Sequence, residues 1–163
     1  MRHSDRHQQI GLLAFCLLCF CAALPAQPVA FQLQNHADCP LTITAYTASI
    51  LRVGATRRQF VTLKNVSGRA ISGLLLQQTI PEGALPKIIA LESVSVIFGS
   101  RETKRLSIDV GDVWNLLQNS AKSGAVPSKP VLSVVEVDFL DGTSWRAPIG
   151  PGVENRDSAG RRP

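Results

Sequence analysis

Side chains able to do chemistry are few, and several of them fall in one short stretch. His36 lies close to Asp38 and Cys39. Catalysis of the Ser-His-Asp or Cys-His type needs an imidazole within hydrogen-bond distance of the nucleophile and a third group to orient it. The same side chains are possible metal ligands, but a structural zinc takes four, usually in two spaced pairs, and no second pair exists. We interpret His36 as an exposed loop residue before the first firm strand, and predict neither a catalytic nor a metal site here.

A second candidate is a pair of carboxylates near the end of the chain. Glu136 and Asp138 alternate with apolar residues on a predicted strand, so they share one face and lie roughly 7 Å apart. That separation suits the two carboxylates of a glycoside hydrolase. No aromatic cleft accompanies the pair, and acids on a solvated strand face are common. No phosphate-binding glycine loop or dinucleotide motif is present either. The sequence therefore predicts no catalytic residues, no metal and no cofactor, and a protein that is not an enzyme.

The amino terminus has the order of a secretion signal. Arg2 and Arg6 lie in a polar segment at the start of the chain, and an uncharged apolar run follows over residues 10–24. Cleavage after Ala26 would make residues 1–26 a signal peptide and place the remainder outside the cytoplasm, secreted or periplasmic. The alternative is a retained membrane anchor through residues 10–26, although that stretch is at the lower limit for spanning a bilayer.

Signal removal leaves Cys39 alone among the chain's 4 cysteines. A single thiol forms no intramolecular disulfide, so the hydrophobic core must stabilise the fold unaided. Free cysteines usually behave as small buried hydrophobes, and we expect Cys39 to be buried. A disulfide to another chain is the alternative.

Residues 27–149 have the length of one domain, and residues 150–163, rich in glycine, proline and charge, are expected to be a disordered tail. The formal net charge is +5. The cations are scattered and lack interleaved aromatic residues, which argues against nucleic-acid binding.

Within this domain, apolar and polar residues alternate in short runs separated by turn residues, which is the pattern of half-buried β-strands. Predicted strands cover the runs 41–46, 60–65, 70–80, 93–98, 106–110, 135–140 and 143–147. Two turns, Asn65-Val66-Ser67-Gly68-Arg69 and Asp141-Gly142, are interpreted as hairpins, the second of which would place Trp145 beside the preceding strand.

One segment has helical spacing instead. Val113, Trp114, Leu116 and Leu117 predict a short helix from Asp112 to about Lys122. Asp112 would cap its start and Gly124 would end it. Trp114 is then expected to pack against the sheets.

About seven strands, one inserted helix and no strand-helix-strand alternation predict a mainly β fold, an antiparallel sandwich. Two stretches, Val61-Thr62-Leu63-Lys64-Asn65-Val66-Ser67-Gly68 and Val135 to Trp145 with its Asp141-Gly142-Thr143 turn, resemble hairpins of small immunoglobulin-like domains in uncharacterised secreted bacterial proteins. The resemblance implies the immunoglobulin-like fold and carries no activity.

Three functional classes remain open. The first is a non-enzymatic interaction or structural module of the cell envelope or exterior, whose partner is another exported or envelope protein. The second is a carbohydrate-binding module that stacks sugars on Trp145, Tyr46 or Trp114. The third is a small hydrolase built on His36 or on Glu136 and Asp138.

Asn65-Val66-Ser67 also matches the acceptor pattern for N-glycosylation, although its role in a turn explains it equally well.

Overall fold

In a computed structural model of the protein, the structure describes residues 29–47, 49–82, 85–124 and 128–148. These residues form nine strands and one helix. In chain order they are β1 (Gln32–Gln34), β2 (Leu41–Tyr46), β3 (Leu51–Val53), β4 (Thr56–Asn65), β5 (Ile71–Glu82), β6 (Leu85–Phe98), β7 (Thr103–Asp109), α1 (Gly111–Lys122), β8 (Val131–Phe139) and β9 (Ser144–Arg146). The predicted signal peptide and the predicted disordered tail lie outside the described residues. Within them, no helix has the length and apolar character needed to cross a membrane.

The strands form two sheets. In the five-stranded sheet, β8, β5 and β6 run side by side, and the short strands β1 and β9 both pair with the outer edge of β8. In the four-stranded sheet, β4 pairs with β7 on one side and with β2 and β3 on the other. Each sheet therefore has a single strand, β6 or β7, along one edge and two strands along the opposite edge, at least one of which is three residues long.

A single hydrophobic core lies between the inner faces of the two sheets. The alternating strands place Leu41, Val61 and Leu63 of the four-stranded sheet in one buried cluster with Leu76 and Leu132 of the five-stranded sheet. Burial of these apolar side chains stabilises the fold by about 25 cal/mol for each Å² removed from water. The predicted mainly β fold is thus confirmed as two sheets packed over a common core, although one pairing, β1 with β8, is parallel rather than antiparallel.

The turn from Asn65 to Arg69 is not the hairpin that the sequence predicts. β4 and β5 belong to different sheets, so this turn carries the chain from one sheet to the other. Turn residues show that the chain reverses but do not show which neighbour each strand will pair with. The second predicted hairpin is confirmed, because β9 pairs antiparallel with β8 and Trp145 lies opposite Val137.

Strand β8 departs from simple alternation. Leu75 pairs with Glu136 and Leu76 pairs with Val134, which leaves Val135 without a partner in this ladder. The irregularity turns Val134 and Val137 into the core while Val135 stays only partly buried. Strict alternation over the predicted strand 135–140 would place Val135 on the buried face with Val137, and the structure does not, because a bulge shifts the side-chain phase by one residue.

The predicted helix is confirmed, but the prediction that Asp112 is its N-cap is wrong. The N-cap is Val110, with no side-chain hydrogen bond, and Asp112 lies in the first turn. A carboxylate there still interacts favourably with the helix dipole. At the other end Gly124 has a φ of +75° and its N–H donates to the Ala121 carbonyl oxygen, as expected for a helix-ending glycine.

Candidate functional site

The loop between β1 and β2 and the strand β9 bring together three of the residues that the sequence singled out. The indole Nε1 of Trp145 donates a hydrogen bond to Asp38 Oδ2 over 3.2 Å. The imidazole of His36 lies 6.0 Å from the Trp145 ring, centroid to centroid. His36 is in a loop, as predicted, but it is half-buried rather than exposed. The cluster fastens the first loop to the last strand.

This cluster lacks the geometry of a hydrolytic site. In the described part of the chain, no serine or carboxylate side chain is hydrogen-bonded to the His36 imidazole. The carboxylate of Asp38 is engaged by Trp145 instead. A general base must lie within hydrogen-bond distance of the group from which it takes a proton. The contacts are those of a structural tie between two segments.

Cys39 is buried, as predicted, with 6% of its surface exposed. Burial raises the pKa of the Cys39 thiol to about 11, opposed by a hydrogen bond with the backbone of Leu41 and assisted by the neighbouring Asp38 carboxylate. Since the thiolate is both the nucleophile and the metal ligand, a thiol that stays protonated at neutral pH suits neither role. Among the described residues there is no group of three His, Cys, Asp or Glu side chains that could hold a metal ion.

The carboxylates of Glu136 and Asp138 face different environments. Arg146, directly opposite on β9, donates from both Nε and Nη2 to Glu136 Oε1 over 3.0 and 2.9 Å. Asp138 is exposed and lies beside Gly73 of β5, where an added Cβ would come within 3.4 Å of its carboxylate oxygen. A retaining or inverting glycosidase needs two carboxylates that face one sugar. Here one carboxylate is occupied by a guanidinium, as in an ordinary cross-strand ion pair.

The three candidate aromatic side chains do not share a platform. Trp145 is half-buried on β9, and Tyr46 makes an edge-to-face contact with Phe31 at 6.2 Å between centroids. Trp114 lies on α1, half-buried as expected, with the guanidinium of Arg57 over its ring at 3.6 Å. A sugar-stacking surface requires open aromatic faces. Each of these rings already has a partner within the protein.

Asn65 in the candidate glycan acceptor pattern has no exposed surface. Its amide nitrogen donates to the carbonyl oxygens of Arg69 and Gly99, and its amide oxygen accepts from the backbone N–H and the hydroxyl of Ser67. A glycan needs an accessible asparagine nitrogen. In the folded protein this side chain instead holds the turn between the two sheets.

An arginine connects the same turn to the β8–β9 hairpin. The Arg69 guanidinium lies over the Phe139 ring at 3.6 Å and binds the carboxylate of Asp141 and the hydroxyl of Thr143. The hydrogen bond from Arg69, with further bonds from Thr143, lowers the pKa of Asp141 to about 2. Both predicted turns are thereby held together at one end of the molecule.

A cleft lies between the tip of the β5–β6 hairpin and α1. Its charged lining residues, Glu82 and Lys87, pair with each other over 3.7 Å, and Leu116 and Leu117 form the apolar side. Among the described residues that line this cleft, neither serine, Ser120 or Ser128, is hydrogen-bonded to a carboxylate or an imidazole. Its composition is that of a surface groove between two packed elements.

The feature that sequence reasoning missed is the outer edge of β6. The sequence predicted only a short strand from Ser93 to Phe98, but β6 runs for 14 residues and pairs, among the described strands, with β5 alone. It carries four of the large exposed hydrophobic side chains, which are Leu85, Ile88, Leu91 and Ile97 at 56%, 47%, 55% and 61% exposure. A signal was present in the sequence, because the run from Ile88 to Phe98 contains a single charged residue, Glu92.

Comparison with known proteins adds no relative: no family model, no curated protein and no solved structure matches this chain.

Proposed function

We propose that this protein is a non-enzymatic interaction module that binds an extended segment of another protein along the free edge of β6. The observation that supports the proposal is an edge that no described strand pairs with, on a strand that carries exposed apolar side chains. Strand addition supplies hydrogen bonds from the main chain and specificity from alternate side chains. Such a mode needs no catalytic constellation, metal or cofactor.

The contrast between the two long edge strands favours β6 as the docking edge. At the edge of β7, the backbone N–H of Asp109 is occupied by Glu92 Oε2 over 2.9 Å, and the Ser107 carbonyl oxygen accepts from Arg58 over 2.9 Å. Soluble proteins protect exposed edges with charged side chains and short strands. β7 is protected in this way, and the opposite edges of both sheets consist of three-residue strands together with β2.

β6 has bulges at Ile89 and at Val96–Ile97, and Lys104 donates to its Ile97 carbonyl oxygen. Between these features, no side chain in the described part of the chain is hydrogen-bonded to the backbone of residues 90–95, so this stretch of the edge lacks the protection that β7 has.

The proposal includes the finer assignments from the sequence. The two sheets over one core are compatible with an immunoglobulin-like sandwich, and that architecture commonly presents edges and loops to protein partners. Residues 1–26 act as a signal peptide in this proposal, so that the module works in the periplasm or outside the cell. The intended partner is then another exported or envelope protein.

Site-specific photo-crosslinking tests the interaction in the native host. A photoreactive amino acid replaces Leu91 on β6 or, as a matched control, Gln34, an exposed strand residue at the opposite edge of the same sheet. We expect a discrete covalent adduct from position 91 and none from position 34. Equal adducts from both positions, or none from position 91, would refute docking on β6.

The same material tests export through its intact mass. A chain recovered from the exported fraction that begins at Gln27 would support signal cleavage after Ala26. A full-length chain retained in the membrane would contradict it and support the anchor. Because the mass reports only processing and the crosslink reports only contact, the two parts of the proposal fail separately.

A further inference from the structure

Charged side chains are divided unequally between the two sheets. The strands of the five-stranded sheet carry two cations and four carboxylates, which are Lys87, Arg146, Glu82, Glu92, Glu136 and Asp138. The strands of the four-stranded sheet carry six cations and one carboxylate, which are Arg52, Arg57, Arg58, Lys64, Lys104, Arg105 and Asp109. Between Asp38 and Glu82 the sequence contains no carboxylate side chain. The excess of positive charge is therefore located on one sheet.

Strand pairing places several of these cations on the outer face of the four-stranded sheet. In β4 the even-numbered residues from Arg58 to Lys64 alternate with buried residues of the core, so their side chains point away from it. Residues that pair across a ladder share a face, and Arg105 pairs with Thr62 while Leu51 pairs with Arg58. We call this surface the basic face, and it is formed by Leu51, Val53, Arg58, Phe60, Lys64 and Arg105.

Two cations of the basic face have no counter-ion within the described part of the chain. Lys64 and Arg105, which lies over the Phe60 ring at 4.2 Å, are both exposed, and neither forms an ion pair with a carboxylate. They are diagonal neighbours on adjacent strands, roughly 7 Å apart. The one carboxylate that the described strands place on this face, Asp109, accepts a hydrogen bond from the Gly111 N–H over 2.8 Å. Two like charges at this distance repel each other, and an anionic partner would relieve the repulsion.

The basic face continues into exposed apolar side chains at the β3–β4 hairpin. Leu51 and Val53 have 49% and 52% of their surface exposed. Gly54 and Ala55 alone connect the two strands, and a φ of +60° at Gly54 permits this tight turn. Both apolar side chains pair with outward-facing residues of β4, so they lie on the same side of the hairpin as Arg58. The face is thus apolar at the hairpin and cationic beyond it.

We infer that the basic face docks on the anionic surface of a lipid bilayer. Lys64 and Arg105 lie against lipid phosphates in this contact, and Leu51 and Val53 enter the boundary between headgroups and acyl chains. Interfacial binding of this kind combines burial of apolar area with attraction to anionic lipids. The inference is independent of the docking at β6, because β6 belongs to the other sheet.

The order of side chains along the face favours a lipid surface over a soluble polyanion. A bilayer presents a charged layer directly beside an apolar one, and the basic face has cationic and apolar side chains side by side. An acidic polysaccharide would neutralise Lys64 and Arg105 but would leave Leu51 and Val53 in water. Only the lipid surface matches both parts of the face.

Vesicle binding measures this contact. The protein recovered from its host is mixed with vesicles of phosphatidylglycerol and phosphatidylcholine, or of phosphatidylcholine alone, and co-sedimentation gives the partition coefficient. We expect at least about tenfold stronger binding to the anionic vesicles, and loss of that difference as salt rises from about 0.05 to about 0.5 M. Lys64→Glu/Arg105→Glu should abolish the preference for anionic vesicles, and Leu51→Ser/Val53→Ser should weaken binding to them about fivefold.

Lys122→Glu/Lys129→Glu is the matched control, since it makes the same change in net charge at two exposed lysines outside the four-stranded sheet. It should retain the preference for anionic vesicles. The amino-terminal segment is the same in every variant and contributes equally to all, and the salt series on the unmodified protein requires no variant to fold. Equal binding of the unmodified protein to both kinds of vesicle, or an equal loss in the control variant, would overturn the inference. So would binding to dextran sulfate without binding to vesicles, because the face would then recognise an anionic polymer.

Discussion

At the scale of single residues, environment decides what each candidate group can do. Cys39, His36 and Asn65 all belong to types that perform chemistry in other settings. Here the Cys39 thiol is buried and stays protonated, and the His36 imidazole packs beside Trp145. The amide nitrogen of Asn65 donates to two carbonyl oxygens. The residue types were visible in the sequence, but their lack of reactive geometry was not.

Burial of Cys39 predicts a specific loss of stability at alkaline pH. The pKa of the thiol is raised to about 11 from an ordinary value of 9.0, so the unfolded chain releases this proton first as the pH rises. The folded state then holds more protons than the unfolded state, and the free energy of unfolding falls between those two values. We expect the unmodified protein to lose about 2 kcal/mol more than Cys39→Ala between pH 8 and pH 10.5.

Urea denaturation of both proteins at the two pH values measures this difference. Lysine and tyrosine titrations are common to both proteins and cancel, and the small cavity left by alanine does not depend on pH. The same loss in both proteins would show that Cys39 does not have a raised pKa.

At the scale of elements, strands and helix follow their local patterns, and the connections between them depend on a few buried polar contacts. The Asn65 turn is the clearest example, because it carries the chain from one sheet to the other and contacts the loop between β6 and β7. The Asn65 side chain donates to one carbonyl in its own turn and to another, at Gly99, 34 residues away. A local turn residue therefore also has a long-range structural role.

Replacement of this side chain should be costly. Asn65→Ala leaves the Arg69 and Gly99 carbonyl oxygens and the Ser67 N–H without their partners, and we expect a loss of about 3 kcal/mol in the free energy of unfolding. Ser67→Ala is the matched control, because its half-buried hydroxyl bonds only within the same turn and should cost less than about 1 kcal/mol. Chemical denaturation measures both changes. Equal losses would mean that the bond to Gly99 contributes nothing.

At the scale of the whole molecule, the sheets depend on each other because they share one core. Neither sheet buries its apolar face unless the other is present. The polar ties at the periphery, from Trp145 to Asp38 and from Arg69 to Asp141, connect segments more than 70 residues apart in sequence. We therefore expect the chain to unfold as a single unit.

Two probes at different places test this cooperativity. Far-UV circular dichroism reports the sheets, and in a Trp145→Phe variant the fluorescence reports Trp114 on the helix alone. At one protein concentration, the two urea midpoints should agree within about 0.2 M. A helix that melts before the sheets would separate the curves and show that α1 is an independent unit.

Local patterns in the sequence were sufficient to predict a mainly β chain, the helix, the β8–β9 hairpin and the burial of Cys39, because each depends on periodicity, on turn chemistry or on the hydrophobicity of one side chain. They were not sufficient for the sheet that each strand joins, the parallel pairing of β1 with β8 or the phase shift at Val135. Strand partners are distant in sequence, and selection among them depends on how the whole core packs. The free edge of β6 was hidden for the same reason: a strand is an edge only once every other strand has found its place.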